Sequence, residues 1–272
     1  SSRRRTVTGL FKAQYAAKLG MRETRANVAA FVGATGGAGT TRTAVEVGAA
    51  LAADGRETAI LDAAFATQGL ADHVEGRIDP DLTALVVDDD RDLSTGLSEL
   101  GFSDAVAGRV AVCPANAPFE RLARAKRVEA ARRFESLIAT AAARFDHVLL
   151  DVPPIAANQA VAAVNAADRV AIVAPASERG TEAVQRCHER LVDVGTEASL
   201  VVSVRGDLET ADVSVPETDV TAADSVPACF DGDDAFAGAV GRLAAAVTGG
   251  EIADPEAERD GLLESVGGLV GR

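Results

Sequence analysis

Tryptophan is absent from these 272 residues, tyrosine and methionine occur once each, and cysteine three times. Lysine is almost as scarce: Lys12, Lys18 and Lys126 stand against 24 arginines. Three cysteines without CxxC spacing (Cys113, Cys187 and Cys229) exclude a disulfide framework and a cysteine-rich metal site, and read as buried thiols in a reducing compartment. His73, His147 and His188 are scattered, and none is expected to be catalytic. No apolar run reaches the roughly 18 residues of a membrane span, and the basic start is not followed by the apolar stretch of a signal peptide. The expectation is a cytoplasmic protein.

What is present is acid. The formal net charge is −14 and the pI about 4.7. A carboxylate-rich, lysine-poor surface suits a salt-rich cytoplasm, where screening relieves the repulsion; a halophilic source is expected. The charge is uneven, because residues 1–25 carry seven basic side chains and one acid. Leu10, Phe11, Tyr15 and Leu19 in this arm share a helical face. The arm reads either as a basic amphipathic contact for DNA or an anionic membrane, or as an extension that docks on the acidic body. Met21 stands just before the first strand, where the domain is expected to begin. The division follows as 1–25 extension, 26–250 domain and 251–272 tail. In the tail, Leu262, Leu263, Val266, Leu269 and Val270 fit one helical face.

From Asn27 the apolar pattern alternates between strand and helix. Strands are expected at 28–32, 58–61, 109–113, 147–150, 169–173 and 199–204. Helices are expected at 41–53, 128–144, 182–192 and 233–247, with 206–231 wrapping the surface. This alternation predicts an α/β fold with a mostly parallel sheet and helices on both faces.

The run Gly33-Ala34-Thr35-Gly36-Gly37-Ala38-Gly39-Thr40-Thr41 joins the first strand to the first helix. Its glycines let backbone N–H groups converge into an anion nest at the helix N-terminus. The Thr41 hydroxyl stands where a phosphate loop holds Mg2+. A dinucleotide-binding turn is the rival, but it needs a small residue at position 42, which is Arg42.

Three further segments join this loop. They are Leu61-Asp62-Ala63-Ala64 with Gln68-Gly69-Leu70, Asp151-Val152-Pro153-Pro154 after a strand, and Val215-Pro216-Glu217-Thr218-Asp219. In this order they resemble the MinD/ParA group of deviant Walker A ATPases over residues 27–248. The resemblance implies a three-layer P-loop NTPase fold and a site for ATP or ADP with Mg2+. Gly36, Gly37, Ala38, Gly39, Thr40, Thr41, Arg42, Ser203 and Pro216 would contact the nucleotide, and Thr41, Asp62 and Asp151 the metal. It also marks departures. Thr35 and Thr40 replace the family's two loop lysines, Ala64 replaces the second acid of its D-x-D, and Ser203 replaces the adenine-contacting Asn. Arg42, on the first helical turn, is the one cation that could bend back to a phosphate.

The implied role is intracellular positioning by a hydrolysis-impaired regulator, partnered by an active paralogue or a second copy. An active ATPase positioning division, chromosome or surface machinery is the alternative. So is a DNA- or membrane-binding module acting through residues 1–25 or 259–272.

Overall fold

The computed structural model describes residues 27–220, 227–230 and 233–250; the basic arm and the C-terminal tail lie outside the described residues. Within them the strand and helix alternation folds as one eight-stranded sheet. The strands are β1 (Asn27–Gly33), β2 (Glu57–Asp62), β3 (Ser98–Glu99), β4 (Arg109–Cys113), β5 (His147–Val152), β6 (Arg169–Pro175), β7 (Leu200–Val204) and β8 (Val213–Val215). Their order across the sheet is β3-β4-β2-β5-β1-β6-β7-β8. Every pair is parallel except β3 with β4.

The helices are α1 (Thr40–Ala53), α2 (Leu82–Val87), α3 (Phe119–Ala125), α4 (Val128–Ala142), α5 (Asn158–Ala166), α6 (Glu178–Asp193) and α7 (Asp234–Thr248). Central strands buried on both faces need apolar residues at nearly every position, and β1 and β5 have them. Alternate side chains then enter two cores. Val28, Ala30 and Val32 meet α4, α5 and α6, while Ala29 and Phe31 meet α1 and α7. Phe134, Leu137 and Ile138 are buried on α4, as are Phe236, Val240, Leu243 and Val247 on α7. The fold is therefore three layers, as expected.

Two expectations change. Part of 206–231 is sheet, because β8 adds an edge strand to β7 and buries Val215. Three residues are too few to show a period of two in the sequence. Helix α5, after Pro153-Pro154, was not expected, because its alanine-rich face offers no large apolar residue at helical spacing. Cys113 and Cys187 are buried free thiols; Cys229 is only part-buried.

Candidate functional site

In a parallel sheet the loops that gather ligands lie at the carboxyl ends of the strands, where the chain turns outward in opposite directions. Here β1 sits between β5 and β6, with β2 on the far side of β5. The ends of β1, β2 and β5 bring the glycine loop, Asp62 and Asp151 together.

The loop curls because Gly37 and Gly39 adopt left-handed φ values of 71° and 87°, a conformation that side-chain-bearing residues resist. Ala38 N–H turns back to the Thr35 carbonyl at 3.3 Å, and Gly39 O accepts the Thr43 N–H, starting α1. The amides of Gly36, Gly37, Gly39, Thr40 and Thr41 meet no acceptor among the described residues. Five unpaired amides at a helix N-terminus form a strong site for an anion. The Thr40 side chain lies against the end of β1, where its hydroxyl would be 2.8 Å from a Cβ on Gly33. The loop offers phosphate its backbone but no lysine.

Beside it, the Thr41 hydroxyl donates to Asp151 Oδ2 at 2.6 Å. Asp62 is paired in register with Asp151 across β2 and β5. Asp62 accepts the backbone N–H of Ala64 at 2.7 Å and of Ala115 at 3.1 Å. Both carboxylates are buried, and burial drives both acidities down. Asp62 titrates well above the ordinary carboxylate range because of burial and then the neighbouring Asp151. Asp151 is pushed up to about 6 by burial, against the opposing pull of the Thr41 hydroxyl. A hydroxyl and two carboxylates are the hard oxygen donors that Mg2+ prefers, and a cation would relieve this burial. Among the described residues no cluster of three or more His, Cys, Asp or Glu offers a rival metal site.

The Gln68-Gly69 turn closes over Thr41. A Cβ on Gly69 would stand 3.3 Å from the Thr41 hydroxyl, a tight contact that a larger residue would keep only by displacing that side chain slightly. Gln68, at φ 56°, ties this turn to the loop after β4 by accepting Ala117 N–H and donating to the Ala117 carbonyl. Buried Asp81 fastens the same loop, accepting Asn116 N–H at 2.7 Å and Arg121 Nη2 at 2.6 Å. No local pattern of residues marks these ties.

A cavity of about 310 Å³ opens next to the loop between α1, α7 and the ends of β7 and β8. Gly39, Arg42, Arg205, Pro216 and Glu217 line it. Two expectations need correction. Ser203 is fully buried and donates to the Gly206 carbonyl at 2.6 Å. The strand alternation that turns Val202 and Val204 toward the cavity side sends Ser203 to the opposite face. Nor does Arg42 bend back to the loop. Its Nε is 3.4 Å from Glu46 Oε1, one turn along α1, and its guanidinium lies 5.8 Å from the centre of the Phe236 ring. Arg205 was missed. Its backbone is left-handed at φ 61°, and its Nη2 donates to the Gly37 carbonyl at 3.1 Å, bracing the outside of the loop.

The AAA_31 family model, an AAA domain, matches residues 26–200. Septum site-determining protein MinD from Pyrococcus horikoshii OT3, complexed with Mg-ADP, is 17% identical with TM-score 0.67, covering 80% of this chain and 94% of its own. A ParA family ATPase from Chlorobium tepidum TLS is 16% identical with TM-score 0.66, over 80% and 98%. Cobyrinic acid a,c-diamide synthase from Mycobacterium smegmatis, with bound ADP and magnesium, is 17% identical with TM-score 0.61, over 84% and 98%. No curated protein sequence matches significantly. The fold is the P-loop fold of MinD and ParA.

Proposed function

The chain belongs to the AAA domain family AAA_31, and we propose that it is a MinD/ParA-like regulator of intracellular positioning that holds a Mg2+-bound nucleotide but hydrolyses it poorly. The observation that carries this reading is the Thr41–Asp151 hydrogen bond, beside Asp62, at the mouth of a glycine cradle that has no lysine. The fold alone would not choose a role, since it also serves a diamide synthase.

In this reading the free amides of Gly36, Gly37, Gly39, Thr40 and Thr41 hold the phosphates. Thr41, Asp62 and Asp151 hold Mg2+, which when bound supplies the positive charge that the loop lacks. The purine enters the cavity between Arg42 and Pro216. The domain is residues 26–250, flanked by the basic arm and the tail. ADP and ATP are the default ligands by resemblance, and the solved relatives named with Mg-ADP, or with ADP and magnesium, support the class.

Impaired hydrolysis follows from magnitudes. A hydrogen bond from a charged donor contributes about 1.5–3 kcal/mol, and two such donors are missing at Thr35 and Thr40. Phosphoryl transfer depends on charge stabilisation more than binding does; a positioned arginine finger alone is worth roughly 10³–10⁵ in rate. Ala64 leaves no second acid to orient water. A protein that binds and does not turn over acts by its bound state, on a second copy, an active paralogue, DNA or a membrane.

Phosphate release in molar KCl with Mg2+, compared with Asp151→Ala, tests the reading. The expected result is no release that depends on Asp151. Release abolished by Asp151→Ala identifies an active ATPase and overturns the impaired-hydrolysis reading.

A further inference from the structure

Residues 114–118 leave the end of β4, pass the acid pair and lead into α3. In passing, the Ala115 N–H donates to Asp62 Oδ2 at 3.1 Å. The Ala64 N–H holds Oδ1 at 2.7 Å, so both oxygens of the Asp62 carboxylate are fixed by backbone. Ala115 is fully buried. If the loop shifts, no water stands ready to replace its amide, and the Asp62 oxygen loses its donor.

The loop is held from its other side by Asp81. Asn116 N–H donates to Asp81 Oδ2 at 2.7 Å, and the Pro114 carbonyl accepts the Leu82 N–H at 2.8 Å. The Asp81 side chain is fully buried, and the cation that pairs with it is Arg121, on the first turn of α3. Arg121 Nη2 donates to Asp81 Oδ1 at 2.6 Å and to the Asn116 carbonyl at 3.2 Å. Its Nε donates to Thr83 Oγ1 at 2.8 Å. One guanidinium therefore grips the start of α2 and the loop together. Asp81 also caps α2, accepting the Thr83 and Ala84 N–H groups, but a neutral Asn or Ser would serve as a cap. A buried carboxylate near Asp62 carries a cost that a cap does not need: it adds to the upward push on the Asp62 pKa. The paired arginine offsets that charge.

Resting on the reading of Asp62 as a Mg2+ holder, we infer that Arg121 is a positioning residue of the metal site, fixing through Asp81 the loop whose Ala115 amide orients Asp62. Arg124, three residues along α3, is exposed and has no ion-pair partner among the described residues, so it serves as the control.

Mg2+ titration of ADP binding to the full chain in molar KCl tests this, read as the Mg2+ concentration for half-maximal binding. Arg121→Ala should raise that concentration about tenfold or more, the usual cost of losing a group that orients a metal ligand. At saturating Mg2+ its ADP affinity should return to that of the unsubstituted chain, which a merely misfolded variant would not do. Arg121→Lys keeps the charge beside Asp81 and loses the fork, so it should give a smaller rise, and it carries the test if the alanine variant does not fold. Arg124→Ala should change nothing. Amide hydrogen exchange of the metal-free chain gives a second readout, with Ala115 and Asn116 exchanging faster in Arg121→Ala and at the original rate in Arg124→Ala. An unchanged Mg2+ requirement in the Arg121 variants overturns the positioning role and spares the nucleotide reading. Absence of Mg2+-dependent binding in the unsubstituted chain overturns both.

Discussion

Thr41 and Asp151 stand 110 residues apart in the chain, and the hydroxyl of one donates to the carboxylate of the other at 2.6 Å. The bond joins the first turn of α1 to the end of β5, so the phosphate cradle and the acidic pair form one unit. A cation in that unit would replace the hydroxyl proton as the partner of Asp151.

Removing one charge from the buried pair should stabilise the metal-free protein. Asp151→Asn keeps an acceptor for Thr41 and ends the repulsion with Asp62. Unfolding in EDTA should show a gain of about 1–2 kcal/mol, and the stabilisation by added Mg2+ and nucleotide should disappear.

The pH dependence has a definite sign. Asp62 and Asp151 hold their protons more tightly folded than unfolded. The folded state therefore binds more protons above the unfolded carboxylate value of about 4, and stability falls as pH rises. For Asp151 the fall runs from there through about 6. Denaturant unfolding without Mg2+ at pH 5 and pH 7.5 should show wild type losing roughly 1–2 kcal/mol relative to Asp151→Asn. Parallel profiles would contradict the buried-pair account.

Restoring charge to the loop should restore affinity. Thr40→Lys places an ammonium on the first residue of α1, where bound phosphate would meet it. Nucleotide affinity should rise by about 1.5–3 kcal/mol, roughly tenfold to a hundredfold, as measured by calorimetry. Thr43→Lys, one turn further along α1, should give no such gain.

Arg205 combines a brace with backbone strain. A non-glycine residue in the left-handed region costs about 1–2 kcal/mol. Arg205→Ala loses the bond to Gly37 and keeps the strain, whereas Arg205→Gly loses both. Chemical denaturation should find the glycine variant about 1 kcal/mol more stable than the alanine variant.

Much of this site was legible from sequence because its parts sit at strand ends. Asp62 and Asp151 each close an apolar run, and Gly37 and Gly39 mark a turn that only a left-handed backbone makes. Ser203 could not be read that way, since one position along β7 decides which face of the sheet its side chain takes. Arg205 reaches Gly37 across 168 residues and Glu46 reaches Ala228 across 182. Contacts at that separation leave no local periodicity. Arg42 shows a third limit, because its direction is set by Phe236 and Glu46 and not by its place in the loop.

On the function proposed above, a lysine-free cradle still holds a Mg2+-nucleotide. Titration of a nucleoside diphosphate in molar KCl, with and without Mg2+, measures this most directly in the wild type and the Thr41→Ala variant. Saturable binding that requires Mg2+ and falls sharply when the Thr41 hydroxyl is removed is the expected result. Binding that is absent, or that ignores both the metal and Thr41, would contradict it.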